Sequence, residues 1–172
     1  MVKEEIMYKG TTITMEWIET LVPPFDAPIM QVSGVCLNEN GDILVVKKKD
    51  KWSLPGGHPE NEETPAQTLQ REIMEEAGIR IDEFKLLGAI RVTHPNNPKE
   101  KGGETYYQLR YYAKASKLLS IKPDPATGYT FERKFVKPEE FIEYTKWGIV
   151  GETIIKKAVD IHESAEGGAI ER

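Results

Sequence analysis

PGGHPENEETPAQTLQREIMEEAGI, residues 55–79, is the stretch from which the fold can be read. Its second half carries the marks of one amphipathic helix. Thr64 suits the N-cap, and Pro65 takes the first helical position, where a missing N–H costs nothing. Gln67, three residues past the cap, completes a capping box. Gly78 suits the left-handed residue that ends a helix. Ala66, Leu69, Ile73 and Ala77 recur at three- and four-residue spacing and form the expected buried stripe. Glu72, Glu75 and Glu76 cluster on another side, within about one turn. Like charges at that spacing destabilise a helix. Either the face is simply solvated, or something compensates the repulsion.

A divalent cation would compensate it. Carboxylate oxygens are the ligands hard ions such as Mg²⁺ prefer, and Mg²⁺ is commonly shared between a few carboxylates and a substrate's phosphates. Gly56 and Gly57 let backbone approach the ion, so a carbonyl can join the ligands. Arg71 can fork onto a neighbouring carboxylate and hold its orientation.

Outward from the helix the pattern turns to strands. Residues 30–37 and 43–47 read as a pair joined by the Asn40-Gly41 turn. A short segment follows at 52–54, then 84–93, the aromatic run TYYQLRYYAKA at 105–115, and 129–136. A loop is expected at 94–103. Residues 138–144 and 152–165 read as helices. Residues 1–28 read as an N-terminal extension, with a hairpin over 6–17 that Val22-Pro23-Pro24 breaks off. Strands before and after a central helix predict an α/β layered domain around a mixed sheet, over residues 29–172.

Composition narrows the partners. The 172 residues carry a formal net charge of −5, which gives no electrostatic footprint for a nucleic acid polymer or an anionic membrane. No apolar run approaches the ~18 residues of a spanning helix. The N-terminus, MVKEEIMYKG, lacks the layout of a signal peptide. Cys36 is the one cysteine, so an internal disulfide is excluded and a cytoplasmic protein is expected. Cys36, His58, His94 and His162 are too scattered for a zinc site.

Taken with its full spacing, the opening stretch resembles the signature of the Nudix hydrolase family, G-x5-E-x7-R-E-U-x-E-E-x-G-U, with U aliphatic. Gly57, Glu63, Arg71-Glu72-Ile73, Glu75-Glu76 and Gly78-Ile79 fill every fixed position. The order and spacing of the strands extend the resemblance to an α/β/α sandwich over about residues 29–147, with residues 1–28 outside it. The resemblance implies Mg²⁺-dependent hydrolysis of a small nucleoside diphosphate linked to another group, X, by attack of water on phosphorus. Mn²⁺ is the alternative ion. It implies that Glu72, Glu75 and Glu76 bind the metal, that Glu63 supports them, that Gly56 contributes its carbonyl, and that Arg71 positions the glutamates. The general base stays open between a box glutamate and a residue from elsewhere. Glu132 is the first outside candidate, followed by Glu104 and His94. A nucleotide-sensing module without turnover and a hydrolase of a non-nucleoside diphosphate are the alternative functions.

Substrate contacts rest on the aromatic strand. Period-2 alternation puts Tyr106, Gln108, Arg110 and Tyr112 on one face, and Tyr107, Leu109, Tyr111 and Ala113 on the other. The first face mixes aromatics with a cation and an amide, as a nucleotide pocket does, or it is a solvated sheet face. Trp52 and Phe131 either stack on a base or pack. Lys47, Lys48, Lys49 and Lys51 either attract phosphate or form a solvated hairpin end. Pro95 lies where some ADP-ribose-cleaving relatives carry a proline, but such loops favour proline anyway. The N-terminal segment and the aromatic strand are the candidates for a homodimer contact.

Overall fold

The central helix forms where its end signals place it. In the computed structural model, which describes residues 1–97 and 103–170, helix α1 spans Pro65–Ala77. The Thr64 hydroxyl accepts the Gln67 N–H at 3.3 Å, and the Gln67 side chain accepts the Thr64 N–H at 2.8 Å. Gly78 closes the helix in the left-handed region, at φ 62°, with its N–H donating to the Met74 carbonyl. Thr64→Ala removes one half of the box and is expected to lower stability by about 1 kcal/mol, measured by urea unfolding. The buried stripe is Thr68, Leu69, Ile73 and Ala77. Ala66, expected in it, is only half-buried. Thr68 takes its place because its hydroxyl finds a carboxylate, donating to Glu63 Oε2 at 2.9 Å.

The strands make one mixed sheet. In chain order they are β1 (Val2–Tyr8), β2 (Thr11–Ile18), β3 (Ile29–Leu37), β4 (Ile43–Lys48), β5 (Lys51–Ser53), β6 (Gly56–Gly57), β7 (Ile79–Thr93), β8 (Thr105–Leu118) and β9 (Glu132–Val136). The main path runs β1-β2-β7-β8-β3-β4-β5, with β6 paired to β3 and β9 to β4. β3 and β8 are parallel and the other pairs antiparallel. A 3-10 turn, Pro138–Glu140, leads into α2 (Phe141–Thr145), and α3 spans Ile149–Ile170.

Two cores sit on the two faces. α1 packs Leu69, Ile73 and Ala77 against Val32, Leu109 and Tyr111. α2 and α3 pack Phe141, Ile154 and Ala158 against Val35, Val45 and Tyr112 on the other face. The result is the α/β/α sandwich. Over residues 106–113 β8 therefore has no fully solvated face, whereas its last three residues are exposed. Its two alternating sets each enter a core or a hollow beside one.

Several bounds differ from the sequence reading. β7 starts at Ile79, directly after the helix cap, because Ile79 and Ile81 are buried while Arg80 and Asp82 point out. That alternation is hidden by charge in the run IRIDE. β9 begins at Glu132, since Tyr129 leaves the ladder to accept the Lys49 N–H at 2.9 Å. The helix expected at 138–144 splits into the 3-10 turn and α2, and the last helix is longer than 152–165. Part of the loop expected at 94–103 lies outside the described residues.

The N-terminal segment is a hairpin, β1 with β2, turning at Lys9 and Gly10. It is no separate appendage. β2 pairs with β7, so the hairpin forms one edge of the same sheet. Gly88, at a bulge of β7, permits the contact: a Cβ there would lie 2.4 Å from the Ile18 carbonyl and 2.7 Å from the Trp17 ring.

Candidate active site

Arg71 organises the carboxylates of α1. Its Nε and Nη2 fork onto Glu63 Oε1 and Oε2 at 2.7 and 3.0 Å. Nη1 donates to Glu72 Oε1 at 2.9 Å and to Glu75 Oε2 at 3.2 Å. Nη2 also donates to the His58 carbonyl at 3.1 Å, which ties the loop ahead of the helix to the cluster. Glu60 stands 3.8 Å from Nη1. Glu76 turns the other way, and its Oε2 accepts the Gly56 N–H at 3.0 Å.

The glycines are demanded by this crowding. A Cβ on Gly57 would lie 2.2 Å from Glu72 Oε1. One on Gly56 would lie 2.4 Å from both Ser33 Oγ and the Val32 carbonyl. The backbone of β6 can pass under the glutamates only without side chains.

Charge is unevenly shared. The Arg71 guanidinium holds the Glu63 carboxyl down to about 2. Burial pushes Glu72 up, although its hydrogen bond and ion pair with Arg71 oppose the shift. Burial pushes Glu76 up to about 8; the Gly56 amide offsets part of this, and the charge of Glu72 adds to it. Glu63, Glu72 and Glu75 thus share one guanidinium, Glu76 has the Gly56 amide instead, and Glu72 and Glu76 are driven toward protonation. A hard cation relieves that condition.

Among the described residues, no three His, Cys, Asp or Glu side chains stand close enough to hold an ion as they are. The hydrogen bonds give the reason. Glu72 and Glu75 are turned onto Arg71, and Glu76 onto Gly56 N–H. Surplus oxygen donors beside a bare glycine backbone fit a divalent cation once these carboxylates swing off their present partners.

The other candidates lie apart from this cluster. Glu132 is exposed and sits 4.0 Å from Lys47 Nζ. Lys47 lies over the ring of Trp52, whereas Lys48 lies over Phe131. Trp52 belongs to the α2–α3 face and Phe131 to the α1 face, so Glu132 leaves β9 on the face opposite α1. His94 is buried edge-on to Tyr8, and Glu104 accepts the Asn96 N–H at 3.1 Å. Trp52 packs edge-on to Tyr144 at 5.8 Å between ring centres.

Tyr106, Gln108 and Arg110 do line hollows on the α2–α3 face. Tyr112, expected beside them as a substrate contact, is buried with its hydroxyl 3.0 Å from His162 Nδ1. Its neighbours are core residues because α3 covers this end of β8. Two residues near the site escaped the sequence reading: Thr68, which donates to Glu63, and Asp124, whose charge acts on Glu76 together with that of Lys48.

The NUDIX domain family model matches residues 28–157. A MutT-like protein of Streptomyces ambofaciens is 38% identical over 77 residues, 44% of this chain and 49% of that protein. Nucleoside diphosphate-linked moiety X motif 6 of Xenopus laevis is 35% identical over 105 residues, 56% of this chain and 47% of that protein. The chain spans about half the length of these curated relatives. Among solved structures, a Bacillus subtilis pyrophosphohydrolase shares the fold, with a TM-score of 0.63 and 22% identity, over 95% of this chain and 98% of that one.

Proposed function

From the premise that the chain belongs to the Nudix family, we propose that it is a Mg²⁺-dependent pyrophosphohydrolase of small nucleoside diphosphate-X compounds. The observation that carries this reading is the Arg71 fork across Glu63, Glu72 and Glu75, with Glu76 held by Gly56. It is an intact box whose negative charge exceeds its internal compensation. The relative named for a nucleoside diphosphate-linked moiety X favours that substrate class.

Glu72, Glu75 and Glu76 would hold the cation, with Glu63 behind them and the Gly56 carbonyl beside them. When bound, the ion supplies charge neutralisation for the pyrophosphate and acidity to a water. Arg71 positions the glutamates and is not assigned a contact with substrate. The proton acceptor is assigned to a box glutamate. Glu132 leaves its strand on the other face, His94 packs against Tyr8, and Glu104 is engaged by the Asn96 amide. Tyr106 and Gln108, which line one hollow with His58, are the proposed contacts for the X side of the substrate.

The test is a panel of nucleoside diphosphate-X compounds and non-nucleoside diphosphates, incubated with and without Mg²⁺ and resolved by mass. Cleavage of one class, dependent on the ion, is the expected outcome. Binding of a nucleotide with no cleavage of any compound would replace the enzyme by a sensor module.

A further inference from the structure

Arg110 is a cation buried without an anion. Its exposure is 3%, and among the described residues no carboxylate lies within ion-pair distance of it. Nη1 donates to the Leu109 carbonyl at 3.0 Å and Nη2 to Gln108 Oε1 at 2.8 Å. Nε has no partner. Burial pushes the guanidinium down to about 9, so it stays charged at neutral pH. A buried charge with idle donors is costly, and it calls for an explanation from outside the chain.

The surroundings point to one. Arg110 and Trp147, over whose ring the guanidinium lies at 5.5 Å, line a cavity of about 270 Å³. Lys51, Lys146 and Glu4 also line it, which makes three cations against one carboxylate in a chain of net charge −5. Val150 and Gly151, in the first turn of the 22-residue α3, form part of the wall. Free N–H groups and the dipole at such a terminus favour an anion. Glu4 of the hairpin already exploits this. Its Oε2 accepts the Val150 N–H at 3.4 Å and lies 2.3 Å from where a Gly148 Cβ would stand. The hairpin thus lends a carboxylate to a position that suits an incoming anion.

We infer that this cavity is a phosphate-binding site anchored by Arg110, with the α3 N-terminus, Lys51 and Lys146 as further donors and Glu4 as the internal group that a ligand displaces. It lies on the sheet face opposite α1 and is distinct from the carboxylate cluster. One path joins the two. Gln108, which accepts from Arg110, also lines a hollow of about 130 Å³ with Tyr106 and His58, and the His58 carbonyl accepts from Arg71. A second phosphate on the substrate and a free phosphate compound present the same chemistry to the site.

Calorimetric titration with inorganic phosphate tests the site, using full-length protein stripped of metal on a chelating resin. Without a cation the carboxylate cluster repels phosphate, so the heat reports on the cavity. Saturable binding is expected, weakened about tenfold by Arg110→Met and about threefold by Lys51→Met, and tightened several-fold by Glu4→Gln. Replacing an unpaired buried guanidinium by a long apolar side chain is not expected to lower Tm. No binding by either the parent or Glu4→Gln overturns the site. So does binding that Arg110→Met and Lys51→Met both leave unchanged. The source is then resolved with Mg²⁺ and a turned-over substrate. If added phosphate raises KM at constant kcat in the parent but not in Arg110→Met, the cavity takes a phosphate of the substrate. If it changes kcat, the cavity takes a separate effector. The titration needs no turnover, so it and the proposed hydrolase activity stand or fall separately.

Discussion

Glu76→Gln is expected to lower turnover by on the order of 10²–10³ while leaving the fold intact. The amide keeps the shape and can still accept the Gly56 N–H. It cannot supply a charged oxygen to a cation. The same substitution should change how metal-free stability depends on pH. Burial raises Glu76 from 4.5 to about 8 in the folded chain. Between those values the folded state binds a proton the unfolded state has released, so stability falls as pH rises. The slope is about 1.4 kcal/mol per pH unit within the window. Glu63 acts in the opposite sense, because Arg71 lowers it from 4.5 to about 2. Its contribution is present above 4.5 and is lost as pH falls toward 2. The site alone therefore gives metal-free protein a stability maximum near pH 4.5. Urea unfolding across pH measures this. The Gln variant should lose most of the alkaline slope and keep the acid one, and Mg²⁺ should flatten the alkaline slope in the parent. A variant with parental turnover would remove Glu76 from the metal set, and one with the parental slope would remove it as the titrating group.

How far the site was legible depends on the distance between its parts along the chain. Thr64, Gln67 and Gly78 act on backbone within four residues of themselves, so their roles are local and readable. Glu63, Arg71, Glu72, Glu75 and Glu76 are brought together by one helix and the turn before it, which periodicity captures. Ala66 and Thr68 exchange places because a hydroxyl can be buried when a carboxylate receives it, and a hydropathy stripe does not register that. Glu132 and Arg110 depend on which face of a sheet covers which helix. Alternation put Arg110 on the same side as Gln108, but not what stands opposite. That is decided by Trp147, 37 positions away, and by Glu4 from a hairpin outside the matched family domain. Pairings of that separation leave no local pattern.

Leu69→Ala is expected to cost about 2–5 kcal/mol of stability while sparing catalysis at low temperature. Leu69 is fully buried between α1 and the sheet. Its Cδ1 lies 2.9 Å from where a Cβ on Gly34 would be, and Ile73 Cδ1 lies 3.0 Å from the same point. The helix thus sits close on β3 because Gly34 offers no side chain, and Leu69 fills the space that leaves. Truncation opens a cavity that close-packed neighbours can refill only in part. For a chain of this size each kcal/mol corresponds to about 2–4 °C of Tm, so a fall of roughly 4–20 °C should be seen by calorimetry. Gly34→Ala alone should also destabilise, by overpacking against both methyl groups. The double variant separates packing from a generic loss of apolar area. An added methyl at position 34 enters the space vacated at 69, so the two costs should fall short of additive by about 0.5–3 kcal/mol. Strict additivity would mean that helix and strand do not share that space. A Leu69→Ala protein that melts like the parent would mean that α1 presents a different face to the sheet, and the placement of Glu72 and Glu76 on its outer rim would fall with it.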